Sequence, residues 1–332
     1  MLSEMPGAWR LALRRWSRIN QRRRSIVDDE LAPSRNDEYL FYQSLAGIWP
    51  DGPLDDTVLE DVRTRLRAYM LKAAREAKVH TSWINPDDRY EAALAQFVDT
   101  LLGSLEPNPF LSDFMPLAQR LARFGYYNSL SMTLLKFTAP GVPDIYQGCE
   151  SWAFNLVDPD NRRPVDHAHL AGRLADLQRK FAEGGNEDGL RELCGNMADG
   201  RIKQYVVWQA LQLRARRPAL FERGRYSALP THGRAATHVL AFARAFEDGV
   251  VITVASRLLY KLCGGEEAAI TEASTWDDTV VELNPLLTAS AYIDLLSGRR
   301  YETVPFGSRR ALQVGPLFDI LPLAMLVPAQ GQ

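Results

Sequence analysis

Acidic, arginine and aromatic side chains crowd one stretch of the chain. From Lys136 to Asp166 the sequence runs KFTAPGVPDIYQGCESWAFNLVDPDNRRPVD, which sets Tyr146, Gln147 and Glu150 shortly before Asp158, Asp160, Arg162, Arg163 and Asp166. Carboxyl groups held in pairs supply nucleophiles and general acids, and arginine forks make bidentate contacts to carboxylates or donate to hydroxyls. Read from the residues alone, a short buried strand, Val142 to Gln147, follows a Pro-Gly-rich turn and runs into a polar loop. Such a loop either builds a site or is a hydrogen-bonded turn. Cys149, Cys194 and Cys263 lie far apart with no CxxC pair, so neither a disulfide framework nor a cysteine zinc site is legible, and they read as reduced, buried small hydrophobes. No metal site and no cofactor is implied.

The elements that must position these residues are helical over the first two-thirds of the chain. Trp9, Leu13 and Trp16 recur at helical spacing within residues 9–24, while Arg10, Arg14, Arg15, Arg18, Arg22, Arg23 and Arg24 crowd the remaining face. Two tryptophans at that spacing mark a core stripe, and this favours a packed helix with a solvated basic face over an RNA- or membrane-binding one. Val58, Val62, Leu66, Tyr69 and Ala73 mark a second helix. Asn85-Pro86-Asp87-Asp88 reads as a helix start, with Asn able to cap and Pro fitting the first turn, followed by the apolar face of Tyr90, Leu94, Phe97, Val98 and Leu101. Another helical stretch covers Ser112 to Ala122, and a last one Ile202 to Arg217, ended by Pro218.

Beyond about Tyr226 the period becomes alternating. Strands are predicted around Leu240 to Phe246, Val250 to Ala255, Thr279 to Leu283, Ala291 to Leu296, Arg299 to Val304, Ala311 to Val314 and Leu323 to Val327, with turns at Glu247-Asp248-Gly249 and Ser297-Gly298. The predicted class is α+β, with residues 1–224 mainly helical and 225–332 an all-β antiparallel sandwich. With 332 residues, 46% hydrophobic and 24% charged, the composition is that of an ordinary globular protein of about two domains. Its formal charge is −2, which gives no general attraction to nucleic acid or anionic membrane. No apolar run approaches a membrane span and no signal-peptide core opens the chain, so the expected location is cytoplasmic.

The Lys136–Asp166 stretch resembles malto-oligosyltrehalose synthase of the α-amylase superfamily. Pro140, Gly141, Pro143, Tyr146, Gly148 and Glu150 match the superfamily pattern of the eighth strand of a (β/α)8 barrel, and Leu156 to Asp166 resembles this synthase in particular. Arg35-Asn36-Asp37-Glu38-Tyr39-Leu40 with Tyr42-Gln43, then His80-Thr81-Ser82-Trp83-Ile84-Asn85-Pro86, and Asp199-Gly200-Arg201-Ile202-Lys203 are similar to further blocks of the family, in its order. Cys149 departs from the small hydroxyl residue of the pattern. The resemblance implies that residues 1–224 are a helical insertion with the final portion of a catalytic barrel, and that the chain is a carboxyl-terminal portion. It also implies an intramolecular transglycosylation that turns the reducing-end α-1,4 bond of a malto-oligosaccharide into an α,α-1,1 bond, with retention.

Such chemistry needs a carboxylate nucleophile and a carboxyl acid about 5 Å apart. The superfamily carries these, with a third acid, at the ends of strands four, five and seven, all before the eighth. Only 138 residues precede Ala139, they read as helices, and the first histidine, His80, is followed by Thr81 rather than an acid. No catalytic residue is therefore assigned. Tyr146, Gln147, Arg162, Arg163 and Trp83 are the candidate substrate-binding residues, and Glu150, Asp158, Asp160 and Asp166 the candidate loop supports. For Arg162 and Arg163 an Arg–Asp network that fixes the loop is the alternative to sugar contact. Trp83 and Trp152 either stack on a sugar or fill a core. A chain inactive by itself is the leading expectation. Its alternatives are a non-catalytic carbohydrate-binding or assembly subunit, which completes a barrel with a separate amino-terminal fragment, and an adaptor that uses the arginine helix.

Overall fold

The computed structural model describes residues 2–158, 160–182 and 186–329, so Pro159 of the predicted loop lies outside the described residues. The chain divides into two compact units: residues 2–122 with 153–164, and residues 123–152 with 165–332. This division differs from one at 224/225, because Arg123–Trp152 and the helices after Val165 belong to the same unit as the strands.

The first unit is helical. It holds α1 (Pro6–Ile19), a hairpin of β1 (Ser25–Val27) and β2 (Glu30–Ala32), α2 (Arg35–Ile48), α3 (Asp56–Ala77), α4 (Asp88–Leu101) and the start of α5 (Pro109–Thr138). Trp16 is fully buried at its centre. Its ring lies 5.2 Å from Tyr42, 5.4 Å from Phe114 and 5.9 Å from Phe110, and its indole N–H donates to Asp113 at 2.7 Å, so a large apolar body is buried without leaving its polar handle unpaired. The tryptophan stripe of α1 thus packs inward, and Arg10, Arg14 and Arg18 remain exposed.

Local caps set the helix starts. Ser34 accepts from the Asp37 N–H at 3.2 Å, and Asp55 from that of Val58 at 2.8 Å. Asp87, not Asn85, caps α4, accepting from the N–H groups of Arg89 and Tyr90, while Asn85 is instead tied back to Ser82. The stretch predicted as 112–122 is only part of α5, which continues to Thr138. Its later turns present Leu130, Leu134 and Phe137 as buried residues.

The second unit continues with α6 (His167–Ala182), α7 (Asn186–Gly195), α8 (Arg201–Arg216), α9 (Pro218–Arg223), β3 (Arg225–Ala228), β4 (Thr231–His232), β5 (Val239–Phe246), β6 (Gly249–Ser256), β7 (Val280–Glu282), β8 (Ala291–Asp294), β9 (Arg300–Glu302), β10 (Val304–Phe306), β11 (Arg309–Gln313) and β12 (Leu323–Pro328). All strand pairs are antiparallel, in one sheet of order β3-β5-β6-β12-β8-β9 and one of order β10-β11-β7-β4. Buried Asp294 fixes the predicted Ser297-Gly298 turn, accepting from the Ser297 N–H at 2.9 Å and hydroxyl at 2.7 Å, and Gly298 takes the positive φ of 73° that the turn requires.

The buried strand expected at Val142 to Gln147 is not formed. The segment carries no strand pairing, Val142 is 95% exposed, and among the described residues none of its N–H groups donates to another backbone group. Strand character depends on neighbours that satisfy the ladder; a hydrophobic run alone does not supply them. The three cysteines are free and half-buried rather than buried. No helix among the described residues is long and apolar enough to cross a membrane. Amide exchange is expected to show strong protection in Val250 to Ala255, paired on both sides by β5 and β12, and weak protection in Val142 to Gln147; equal protection of the two segments contradicts this description.

Candidate functional site

In the first unit, the arginine- and aspartate-rich loop is organised from α3. Asp61, Arg65 and Lys72 lie on one stripe of that helix at i, i+4 and i+11. The Arg65 guanidinium donates Nε to Asp160 Oδ1 and Nη2 to Asp160 Oδ2, both at 2.8 Å, with further bonds to the Phe154 carbonyl and Asp61. Asp160 also accepts from the Leu156 N–H at 2.8 Å, and Leu156 is buried in the core of this unit. Burial opposes ionisation of Asp160, but the hydrogen bonds from Arg65 and Leu156, and the charges of Arg65 and Arg163, outweigh it and hold the carboxyl below its usual range.

The two candidate arginines differ in their ties. Arg162 is 70% exposed and pairs with Asp158 at 2.8 Å, and Asp158 lies 3.9 Å from Lys72. Arg163 pairs with Asp61 at 3.2 Å and reaches Asp160 at 3.8 Å. The structure therefore places Asp158, Asp160, Arg162 and Arg163 in two ion-pair clusters, Arg162–Asp158–Lys72 and Arg163–Asp61–Arg65–Asp160, leaving much of Arg162 open to solvent. Sequence reading missed Arg65 and Asp61. Their signal, an i,i+4 acid–base pair flanking the apolar stripe of Val58, Val62 and Leu66, is also that of an ordinary solvated face.

Trp83, in the same unit, does not fill a core: it is 58% exposed. Its loop is nonetheless tightly tied. Glu91 accepts from Arg75 at 2.8 Å and from the Thr81 hydroxyl at 2.7 Å, and Thr81 in turn accepts from the Asp87 N–H at 3.0 Å. The Arg75 guanidinium lies 4.8 Å from the centre of the Trp83 ring, a cation–π arrangement. His80 stacks on Tyr90, their ring centres 4.4 Å apart. The result is an aromatic face held at the surface on a hydrogen-bonded loop.

The remaining candidates belong to the second unit. Tyr146 is 50% exposed and Gln147 is exposed. They enter a turn at Gly148, whose φ of 79° only glycine adopts readily and where a Cβ would stand 3.1 Å from Val165. Glu150 is half-buried, with Oε2 unpaired. Asp166 caps α6, its Oδ1 accepting from the His169 N–H at 2.9 Å. Among the described residues no group of three or more His, Cys, Asp or Glu is placed to hold a metal ion.

No family model matches the sequence. A putative maltooligosyl trehalose synthase of Mycobacterium tuberculosis is 32% identical over 296 residues, which cover 89% of this chain and 32% of that protein. The solved maltooligosyltrehalose synthase of Arthrobacter ramosus superimposes with a TM-score of 0.72 at 33% identity, over 99% of this chain and 36% of that one. The chain belongs to the maltooligosyl trehalose synthase family. A hypothetical maltooligosyl trehalose synthase of Sulfolobus tokodaii is also similar, with a TM-score of 0.65 at 27% identity over 98% of this chain and 35% of its own. The chain spans about a third of the length of the curated relatives it matches, consistent with a carboxyl-terminal portion of a synthase of this family.

The Arg65–Asp160 pair generates a prediction. Arg65→Met leaves Asp160 buried without its partner and is expected to lower stability by about 3 kcal/mol. Because the folded carboxyl titrates below the unfolded value of about 3.9, its contribution is fully present above that value and is lost as pH falls through the lower folded one. Melting curves at pH 7 and pH 3 are therefore expected to show a wide gap between wild type and Arg65→Met at pH 7 and a narrower one at pH 3.

Proposed function

We propose that this chain is the carboxyl-terminal part of a maltooligosyltrehalose synthase, an intramolecular transglycosylase that converts the reducing-end α-1,4 bond of a malto-oligosaccharide into an α,α-1,1 bond, and that it is inactive in isolation. The observation that carries this reading is identity of about a third along nearly the whole chain to proteins three times its length. In this reading residues 1–224 are the helical insertion and last portion of the catalytic barrel, and residues 225–332 the carboxyl-terminal β domain. The exposed, unpaired segment Val142–Gln147 supports it, since a parallel barrel strand takes its partners from other βα units. The location in this reading is cytoplasmic.

Retaining transfer needs one carboxylate to form a glycosyl-enzyme and a second carboxyl to protonate the leaving oxygen, with water kept away from the intermediate. These groups are assigned to the preceding barrel strands. The present chain contributes contacts to the sugar. Tyr146 and Gln147 lie at the carboxyl end of the proposed strand, the end where barrel sites lie. Arg162, with most of its side chain in solvent, and Arg163 donate to sugar hydroxyls, and the exposed Trp83 face stacks on a ring. Asp158, Asp160, Glu150 and Asp166 support the loops. A second reading, an assembly subunit that completes a barrel from a separate amino-terminal chain, rests on the same unpaired segment.

Purified chain incubated with maltopentaose is expected to leave the reducing ends intact; their loss without any added protein refutes the assignment of catalysis to other residues. In the full-length polypeptide that carries this sequence, Tyr146→Phe and Arg162→Ala are expected to lower kcat/KM about tenfold, roughly 1.4 kcal/mol of transition-state binding, with little change in Tm. A lowered Tm at unchanged kcat/KM would assign both residues a purely structural role.

A further inference from the structure

The segment that follows Tyr146 and Gln147 is gripped at Ser151. Its carbonyl accepts from Lys203 Nζ at 2.9 Å and its hydroxyl from Arg173 Nη1 at 3.4 Å. Gly200 stands so close that a Cβ there would lie 2.3 Å from Ser151 Oγ. The next residue, Trp152, donates its indole N–H to the Met197 carbonyl at 2.6 Å and stacks on Tyr126 with ring centres 4.5 Å apart. Lys203 Nζ also lies 5.7 Å from the centre of the Trp152 ring. Three of these groups, Met197, Gly200 and Lys203, lie in or beside the Asp199-Gly200-Arg201-Ile202-Lys203 block.

This grip is not what stability alone would select. Lys203, partly buried, has one neutral carbonyl and an aromatic face as its direct partners, and burial pushes its ammonium below the usual lysine range although Cys149 and Glu150 favour the charge. Glu150 Oε2 and Arg173 Nε and Nη2 are buried without hydrogen-bond partners. Each such atom is costly, and an apolar cluster of the same shape is often as stable or more so. What the charged cluster supplies is a fixed position for the backbone of residues 148–152, reached from α6 and α8 at once.

We propose that Lys203 is a positioning residue: through Ser151 it fixes the turn at Gly148 and thereby the placement of Tyr146 and Gln147 against a malto-oligosaccharide. The inference rests on the sugar-contact reading of those two residues, and Lys203 itself touches no substrate.

The test has two arms, both in the full-length polypeptide that carries this sequence. Amide exchange is read at Cys149 and Ser151, whose N–H groups donate to Tyr146 O at 3.1 Å and Gly148 O at 3.5 Å. Lys203→Met is expected to speed both at least tenfold while Val250 to Ala255 stays protected, and Lys203→Arg, which keeps a charged donor, to stay within about threefold of wild type. Steady-state kinetics on maltopentaose are expected to show a KM raised about tenfold in Lys203→Met with a smaller change in kcat, restored by Lys203→Arg. Unchanged exchange in Lys203→Met overturns the proposal, as does faster exchange with unchanged KM. If the Met variant does not fold, Lys203→Gln, a shorter neutral donor, is put through the same two arms. A wild-type polypeptide that does not act on maltopentaose overturns the substrate reading, and the exchange arm then still decides whether Lys203 holds the turn.

Discussion

The loop of Leu156 to Asp166 depends on one guanidinium. Arg65 reaches from α3 to Asp160, Asp61 and the Phe154 carbonyl, and its fork is the only side-chain geometry that engages both oxygens of a carboxylate while keeping a further N–H for a backbone acceptor. With the fork in place, Asp160 is free to accept from Leu156, and Leu156 is drawn into the apolar core. Arg162 and Arg163 project from a loop already fixed at its base. Without that tie the buried carboxylate of Asp160 would keep only the Leu156 N–H and Arg163 at 3.8 Å, less than a buried charge needs.

A second constraint is the completion of backbone hydrogen bonds. In the region after Arg225 every strand finds an antiparallel neighbour within the chain, and β6 finds one on each side. The run Val142-Pro143-Asp144-Ile145-Tyr146-Gln147 finds none among the described residues and stays outside any strand, exposed except at Pro143. The comparison separates two meanings of a strand-like sequence: apolar residues make a segment suited to a sheet, whereas partners make it a strand.

Much of the second unit was legible because hairpins are local. The turns at Glu247-Asp248-Gly249 and Ser297-Gly298 join strands adjacent in sequence, so alternation and turn residues sufficed to place β5, β6, β8 and β9. The helix boundaries were less legible. Asn85 and Asp87 are both good caps, and the choice of Asp87 follows from Ser82 and Thr81 engaging the backbone of Asn85 and Asp87. Helix α2 and the β1–β2 hairpin escaped notice, since the apolar residues Phe41, Tyr42 and Leu45 are interleaved with the acids and amides of a stretch read only for its motif.

The sequence by itself determined the family, through motifs whose residue order survives without any coordinates, and it determined the inward face of α1, since Trp9 and Trp16 at helical spacing have few other uses. Tertiary structure alone decided which charges meet. Arg65 is 95 residues from Asp160, and Lys203 is 52 from Ser151. No periodicity encodes such pairs, because an ion pair between distant residues depends on where two helices bring their side chains, and the same arginine on a polar face reads identically whether it ends in water or in a buried carboxylate. The exposure of Trp83 was decided in the same way, by the Arg75, Thr81 and Glu91 contacts that hold its loop at the surface.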